Sequence, residues 1–139
     1  GQKLGALYKK EKKSNIVALG NDKNKPTMVV FSDPECPYCR NELNAVEDRP
    51  KTHNIRLILT PVHDVSALQK SYLIYQQTAK AKDDAAKIAI LRKYFDENAV
   101  VDQTVSEEAM VQMDQLRRTY LRAGLKGVPF YIDEKELLQ

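Results

Sequence analysis

Residues 36–39 read CPYC and contain the only two cysteines of this 139-residue chain, Cys36 and Cys39. Two cysteines at this spacing can bind a metal, form a structural disulfide or exchange disulfides with other molecules. A structural disulfide would close a very small loop here, so it would remove little entropy from the unfolded chain. The structural role is therefore disfavoured, and a metal site or a redox pair remains.

A zinc site would need two more ligands, and His53 and His63 are the only histidines. Nine residues lie between them, whereas a zinc finger has about three to five. We interpret each as an ordinary loop histidine and expect no metal. A cysteine protease is also disfavoured, because a second thiol this close would form a disulfide with the nucleophile.

The segments around the two cysteines predict unequal roles for them. TMVVFS (27–32) is a continuous apolar run, typical of a strand buried on both faces. Pro37 suits the first turn of a helix, and Cys39, Leu43 and Val46 would share one face of it. Cys36 would then lie at the helix N-terminus, where unpaired N–H groups favour a thiolate that attacks disulfides. Cys39, on the apolar face, would resolve the mixed disulfide.

The rest of the chain alternates strands with helices. Strands are predicted at 15–19, 54–62 and 128–132, and residues 64–124 are almost wholly helical in pattern. The first helical stripe of that block consists of Val65, Leu68, Tyr72, Tyr75 and Ala79. Alternating strands and helices predict the α/β class, with a sheet of mixed strand direction.

The composition is that of a globular domain, with 42% hydrophobic and 29% charged residues. The net charge of +3 is spread along the chain. A basic face with interleaved aromatic residues is lacking, so nucleic-acid binding is not expected. The chain begins with Gly1, as expected if a signal sequence has been removed.

Two motifs together resemble a known family. VVFSDPECPYC is followed about ninety positions later by GVPFYI, and this combination resembles the thioredoxin fold, most closely the periplasmic Dsb proteins of bacteria. The resemblance implies a cis-proline loop at Val128 and Pro129, which would pair with an extended substrate strand beside Cys36. Pro37 and Tyr38 would tune the reduction potential. The alternative is a trans proline that opens an edge strand.

The helical block favours Dsb proteins over thioredoxin and glutaredoxin, which lack an insertion of that size between the two motifs. Residues 1–14 are interpreted as the end of an interdomain linker helix. Residues 15–139 are interpreted as a thioredoxin-like catalytic domain, with a helical insertion at about 64–124. The segment after residue 132 is too short for the hairpin and final helix that the family has.

Within the Dsb group, two features disagree. Val30 replaces the acidic residue that thioredoxin and DsbA have six positions before the first cysteine, and VFSD with CPYC resembles DsbC and DsbG. However, Val128 before the proline resembles DsbA, because DsbC and DsbG have threonine there. The expected function is isomerisation or reduction of disulfides in secreted proteins. A DsbA-like thiol oxidase, a glutaredoxin-like reductase and a non-catalytic binding module are the alternatives.

The resemblance also implies partners and a location. We expect no cofactor other than the redox-active disulfide of Cys36 and Cys39. The expected partners are unfolded or misoxidised secreted proteins and a membrane redox protein, DsbD-like for an isomerase or DsbB-like for an oxidase. The expected location is the periplasm. A homodimer through an N-terminal domain outside this chain is a further expectation.

Overall fold

The computed structural model describes residues 2–45 and 47–139. Within these residues the chain forms one mixed β-sheet surrounded by α-helices, which confirms the predicted α/β class. The strands are β1 (Val17–Leu19), β2 (Thr27–Ser32), β3 (Asn54–Leu59) and β4 (Phe130–Asp133). The helices are α1 (Gln2–Lys10), α2 (Pro37–Leu43), α3 (Val65–Thr78), α4 (Asp84–Phe95), α5 (Glu107–Arg122) and α6 (Glu134–Leu137).

The strand order in the sheet is β1-β3-β2-β4. The two central strands, β2 and β3, are parallel, and the edge strands β1 and β4 are antiparallel to their neighbours. Both central strands are buried over most of their length. This burial explains why their sequences are continuous apolar runs rather than alternating ones.

The connection between the parallel central strands contains α2. Parallel neighbours require a crossover, so the chain leaves the carboxyl end of β2, forms α2 and returns to begin β3. Arg40 N donates to Cys36 O at 3.0 Å, which closes the first turn of α2. The topology therefore places the CPYC segment at the carboxyl end of a central strand.

The predicted helical block consists of three helices, α3, α4 and α5, with non-helical residues between them. Helix α3 packs against both α4 and α5. Asp83 caps α4 by accepting from Ala86 N, and Ser106 caps α5 by accepting from Ala109 N. These caps explain why α4 and α5 begin at these positions.

The predicted apolar stripe of α3 is wrong at its ends. Val65 is 62% exposed and Ala79 is exposed as well, whereas Lys70 is buried. The buried face is displaced toward Ser71 and Ile74. The helix is covered by two neighbouring helices rather than one, so its buried face is wider than an amphipathic stripe suggests.

Helix α1 is part of the folded unit, because Leu4, Gly5 and Tyr8 are buried. The Tyr8 hydroxyl donates to Glu134 Oε2 at 2.5 Å. Tyr120 of α5 donates to Glu11 Oε1 at 2.8 Å, just after α1. The interpretation of residues 1–14 as the end of a linker helix remains a prediction.

Four strand boundaries differ from the predicted ones. β1 begins at Val17 because Lys13–Asn15 form a 3-10 helix, and β3 ends at Leu59. β4 begins at Phe130, after the Val128–Pro129 pair, and ends at Asp133 rather than at residue 132. In the described part of the chain, β4 is an edge strand followed directly by α6, so the short C-terminal segment holds a helix and no hairpin. No helix among these residues has the length and hydropathy needed to span a membrane.

Candidate active site

The CPYC segment lies at the start of α2, as predicted. Cys36 is the N-cap residue with extended backbone angles, and Pro37 opens the helix. Both cysteines are free thiols. Cys36 is 6% exposed and Cys39 is 2% exposed. The order of exposure agrees with the predicted order of roles, although the thiol at the N-cap is itself largely covered.

The second motif lies against the first thiol. The Val128–Pro129 peptide bond is cis, the geometry that the resemblance implies. The Cys36 thiol donates to the carbonyl oxygen of Val128, with a sulfur–oxygen distance of 3.9 Å. The fold thus brings together two segments that are 92 residues apart in the sequence. These two segments form the candidate site.

Cys39 lies behind Cys36 in a less polar environment. The pKa of the Cys39 thiol is raised to about 12, chiefly by burial and to a smaller extent by the neighbouring Cys36, while hydrogen bonds with Ser32 and the backbone of Asp33 oppose the rise. A cavity of about 40 Å³ adjoins Cys39, and Val30 is among the residues that line it. The Cys39 thiol is therefore protonated at neutral pH.

A polar cluster closes the same cavity on one side. Arg49 Nη2 lies 2.5 Å from Glu42 Oε2, and the Arg49 guanidinium lies 4.7 Å from the centre of the Tyr131 ring. Burial, with a smaller contribution from Glu42, raises the pKa of Tyr131. Glu42 is three residues after Cys39, so α2 itself places this carboxylate on the side of the helix that lines the cavity.

Asp33, between β2 and the cysteines, is fully buried. Its carboxylate accepts from Glu35 N at 2.8 Å and from Val62 N at 2.9 Å, and it lies 2.5 Å from His63 Nδ1. Its backbone carbonyl accepts from Cys36 N at 3.2 Å. Asp33 thus organises the loop that carries the nucleophile candidate and ties it to the residues that follow β3.

Glu35, the residue before Cys36, forms an ion pair with a buried lysine of α3. Lys70 Nζ lies 2.9 Å from Glu35 Oε2, and Lys70 is 4% exposed. Ser66 Oγ donates to the same oxygen at 2.6 Å. Burial alone would raise the pKa of Glu35, but the bonds from Ser66 and Lys70 and the charges of Lys70 and Arg40 hold it below its ordinary value.

The remaining predicted residues lie as follows. Tyr38 is 74% exposed, so it can contact a substrate directly. Val46, predicted to share a face with Cys39, lies outside the described residues.

His53 contacts Thr52 in a turn, in keeping with a loop histidine. His63 is a loop residue too, but it bonds Asp33 in the site. Residues 2–45 and 47–139 contain no group of side chains suited to a metal ion.

Sequence reasoning missed Asp33, Glu35 and Lys70. Asp33 and Glu35 flank Pro34 next to the cysteines, so proximity alone pointed to them. Lys70 had a subtler indication, because it shares the helical spacing of Ala67, Ser71 and Ile74, all of which are buried. A lysine at a core position implies a buried acidic partner, but the sequence does not say which one.

Fold and site together define the class of thiol–disulfide exchange proteins with a thioredoxin fold. The chain belongs to the family of thioredoxin-like domains, whose pattern it matches over residues 13–132. No curated protein sequence matches the chain significantly.

Several solved structures share the fold. DsbG from Helicobacter pylori superposes with a TM-score of 0.84 and 23% sequence identity, covering 94% of this chain. ScsC from Proteus mirabilis gives 0.64 and 17%, covering 95% of this chain and 69% of ScsC. α-DsbA1 from Wolbachia pipientis gives 0.59 and 14%, covering 94% and 80%. The chain spans 60% of the length of the DsbG structure.

These similarities confirm the predicted Dsb-type thioredoxin fold and agree with the predicted enzyme class, thiol–disulfide oxidoreductase. They do not separate the DsbG-like from the DsbA-like interpretation, because proteins of both names share the fold at low sequence identity. The choice between the two interpretations therefore has to rest on the residues of the site.

Proposed function

We propose that this chain is the catalytic domain of a thiol:disulfide interchange protein that isomerises or reduces disulfides in secreted proteins. One observation carries the proposal: the Cys36 sulfur lies 3.9 Å from the Val128 carbonyl, with Cys39 buried behind it on the same helix. In this arrangement Cys36 is the thiol that an incoming chain can reach, and Val128 is the backbone with which that chain can pair.

The reaction follows from these positions. The Cys36 thiolate attacks one sulfur of a substrate disulfide, the substrate S–S bond breaks, and the other substrate sulfur leaves as a thiolate. In isomerisation, a substrate thiolate attacks the substrate sulfur of this mixed disulfide and releases the Cys36 thiolate, so no electrons are transferred overall. In reduction, Cys39 loses its proton and attacks the Cys36 sulfur, and the substrate leaves as a dithiol after two electrons have moved.

The high pKa of Cys39 supports the isomerase mode. A resolving thiol that is protonated at neutral pH attacks slowly, because the thiolate is the reactive form. A longer-lived mixed disulfide gives substrate thiols time to rearrange. Val30, which lines the cavity beside Cys39, supplies no group that could accept the Cys39 proton.

The second candidate is a thiol oxidase, and Val128 favours it. In that mode the Cys36–Cys39 disulfide is attacked at the Cys36 sulfur by a substrate thiolate, and the substrate acquires the disulfide as the pair is reduced. The same residues serve both directions. Reduction potential and redox partner then decide between them.

Apolar side chains close to the pair support an unfolded protein as substrate. Val62 and Val65 are 46% and 62% exposed, and Val62 N bonds Asp33 beside the cysteines. Tyr38 is exposed between the two thiols. Such side chains suit apolar segments that are accessible only before a substrate has folded. The same proposal includes a membrane redox protein as partner and the periplasm as location. The reaction needs no cofactor beyond the cysteine pair.

The deciding experiment combines the equilibrium reduction potential of the Cys36–Cys39 pair with refolding of a substrate that has scrambled disulfides. Reactivation of the scrambled substrate by the reduced protein is the expected result. If the oxidised protein forms disulfides in a reduced substrate and the reduced protein does not rearrange scrambled ones, the oxidase replaces the isomerase.

Two further readouts test the remaining alternatives in the same assay. Turnover that depends on glutathione as the electron donor would identify a glutaredoxin-like reductase instead. Full refolding activity in the Cys36→Ser variant would show that the dithiol is inert and that the chain is a binding module.

A further inference from the structure

A buried ion pair involves the residue that immediately precedes the proposed nucleophile. Glu35 immediately precedes Cys36 in the chain, and its Oε2 atom lies 2.9 Å from Lys70 Nζ. The Lys70 side chain is 5% exposed and the Glu35 side chain 16%. Charged groups are rarely so well covered unless they are paired, because removing a charge from water is costly.

The loop and α3 together fix the position of this pair. Asp33 Oδ1 accepts from Glu35 N at 2.8 Å, which sets the backbone of Glu35. Ser66 Oγ donates to Glu35 Oε2 at 2.6 Å, which sets the carboxylate. Glu35, one residue before Cys36, is therefore held at both its backbone and its carboxylate, and Lys70 is paired with that carboxylate.

The two charges act on a thiolate with opposite sign. The Lys70 ammonium attracts the negative charge of a Cys36 thiolate, and the Glu35 carboxylate repels it. Water is largely excluded around Lys70, so these interactions are screened less than they would be on the surface. A disulfide carries no charge, so the two charges change the free energy of the reduced form through its Cys36 thiolate and leave that of the disulfide form nearly unchanged.

We infer that the Glu35–Lys70 pair sets the redox equilibrium of Cys36 and Cys39, with Lys70 favouring the dithiol and Glu35 favouring the disulfide. The inference rests on the proposed function, since it concerns the potential of the same cysteine pair. In this equilibrium the protein dithiol reacts with glutathione disulfide, and the products are the protein disulfide and two molecules of reduced glutathione. Two electrons pass to glutathione in the forward direction, and the two cysteine protons accompany them.

Other charged groups face the same loop but remain constant in the comparison. Arg40 acts on Glu35 electrostatically and donates from Nε to Phe95 O at 2.7 Å. The Asp33 carboxylate lies 2.5 Å from the His63 ring. Variants at Glu35 and Lys70 leave these groups in place, so differences among those variants report on the pair.

The test measures the equilibrium constant with glutathione at neutral pH for the native chain, Glu35→Gln, Lys70→Met and the double variant. Glu35→Gln is expected to shift the equilibrium about tenfold toward the dithiol, and Lys70→Met about tenfold toward the disulfide, or ~30 mV each for a two-electron couple. The double variant is expected to lie between the two single variants, near the native value.

The ion pair of Lys25 and Asp22 provides a matched control. Its nitrogen and oxygen are 3.9 Å apart, and Lys25 precedes the opposite end of β2, roughly 20 Å from the cysteines at about 3.3 Å per strand residue. Lys25→Met and Asp22→Asn make the same charge changes there. Both are expected to leave the glutathione equilibrium unchanged.

The outcomes separate the inference from the proposed function. Single variants that shift the equilibrium in the same direction, or not at all, would overturn the inference while leaving an active native protein. A native chain that exchanges no disulfide with glutathione would contradict the proposed function instead. If Lys70→Met does not fold by circular dichroism, Lys70→Gln takes its place with the same expected direction.

Discussion

The two thiols of the CPYC segment differ because α2 carries one at its N-cap and the other one turn further inside. Cys36 faces the Val128 carbonyl, and Cys39 faces an apolar cavity. Burial rather than any one charged neighbour is the largest contribution to the raised pKa of Cys39. The proposed order of attack therefore follows from where a short helix begins.

The first prediction concerns the reactivity of Cys39. In the Cys36→Ser variant, iodoacetamide should modify Cys39 at least about thirtyfold more slowly than it modifies the same thiol after unfolding. A pKa rise from 9.0 to about 12 lowers the thiolate fraction by about a thousandfold, and the higher nucleophilicity of a more basic thiolate recovers about thirtyfold. Mass spectrometry of quenched samples gives both rates.

The Cys39→Ser variant is the control for this measurement, since it leaves only the thiol beside Val128. Its Cys36 should react faster than Cys39 does in the partner variant. Equal rates for the two thiols in the folded protein would contradict the assignment of Cys39 as the protected, resolving thiol.

The second prediction concerns acid. Because the folded-state pKa of Glu35 is depressed, this carboxyl stabilises the fold fully at pH values above its ordinary value of 4.5. That stabilisation is lost as the pH falls through the lower folded-state value. The free energy of unfolding of the native chain should therefore decrease in acid more steeply than that of Glu35→Gln. Denaturant titrations at pH 7 and at several acidic values measure both slopes.

Lys70→Met removes the same interaction from the other partner, so it should flatten the acid dependence in the same direction. Parallel curves for the native chain and both variants would show that the Glu35–Lys70 pair does not couple folding to protonation.

At the level of elements, α1 and α6 pack so closely that a glycine is required between them. A β-carbon on Gly5 would overlap the backbone carbonyl oxygen of Leu137. The carbonyl belongs to the backbone, so it cannot move aside as a flexible side chain could. The contact attaches α1 to the end of the chain beyond β4.

The third prediction follows from this contact. Gly5→Ala should lower the free energy of unfolding by about 1–3 kcal/mol, the usual cost of overpacking, even though alanine is the better helix former. Chemical denaturation measures the change. Gly127→Ala is the matched control, because a β-carbon there would meet no atom within 4 Å. If Gly5→Ala is as stable as the native chain or more so, α1 is not held against α6 as described.

The elements also show which parts of the fold could be predicted from the sequence. β2 was predicted with its observed bounds, because a run of six apolar or small residues has no competing pattern before the polar DPE segment. α3 was less predictable. Lys70 interrupts its apolar pattern, and the residue that neutralises it, Glu35, is 35 positions earlier in the chain. Pairings across such distances are set by tertiary packing and leave no local periodicity.

At the level of the whole molecule, the sheet order brings residue 36 and residue 128 to one place, because β4 pairs with β2 directly before the cysteines. The sequence could predict the class of the fold and the two motifs. It could not predict the polar groups around them, since His63 meets Asp33, and Lys70 meets Glu35, only in the folded chain. The chain spans 60% of the Helicobacter pylori DsbG structure, so substrates and partners of the whole protein remain part of the proposal.

The central claim is that Cys36 attacks substrate disulfides and Cys39 resolves the product. The most direct measurement is to incubate the reduced Cys39→Ser variant with a protein that has scrambled disulfides and to analyse the trapped species by peptide mass spectrometry. We expect a stable mixed disulfide joined to Cys36, and none when the Cys36→Ser variant is used in its place. The roles of the two cysteines would be contradicted if the Cys36→Ser variant trapped substrate on Cys39 while the Cys39→Ser variant trapped none on Cys36.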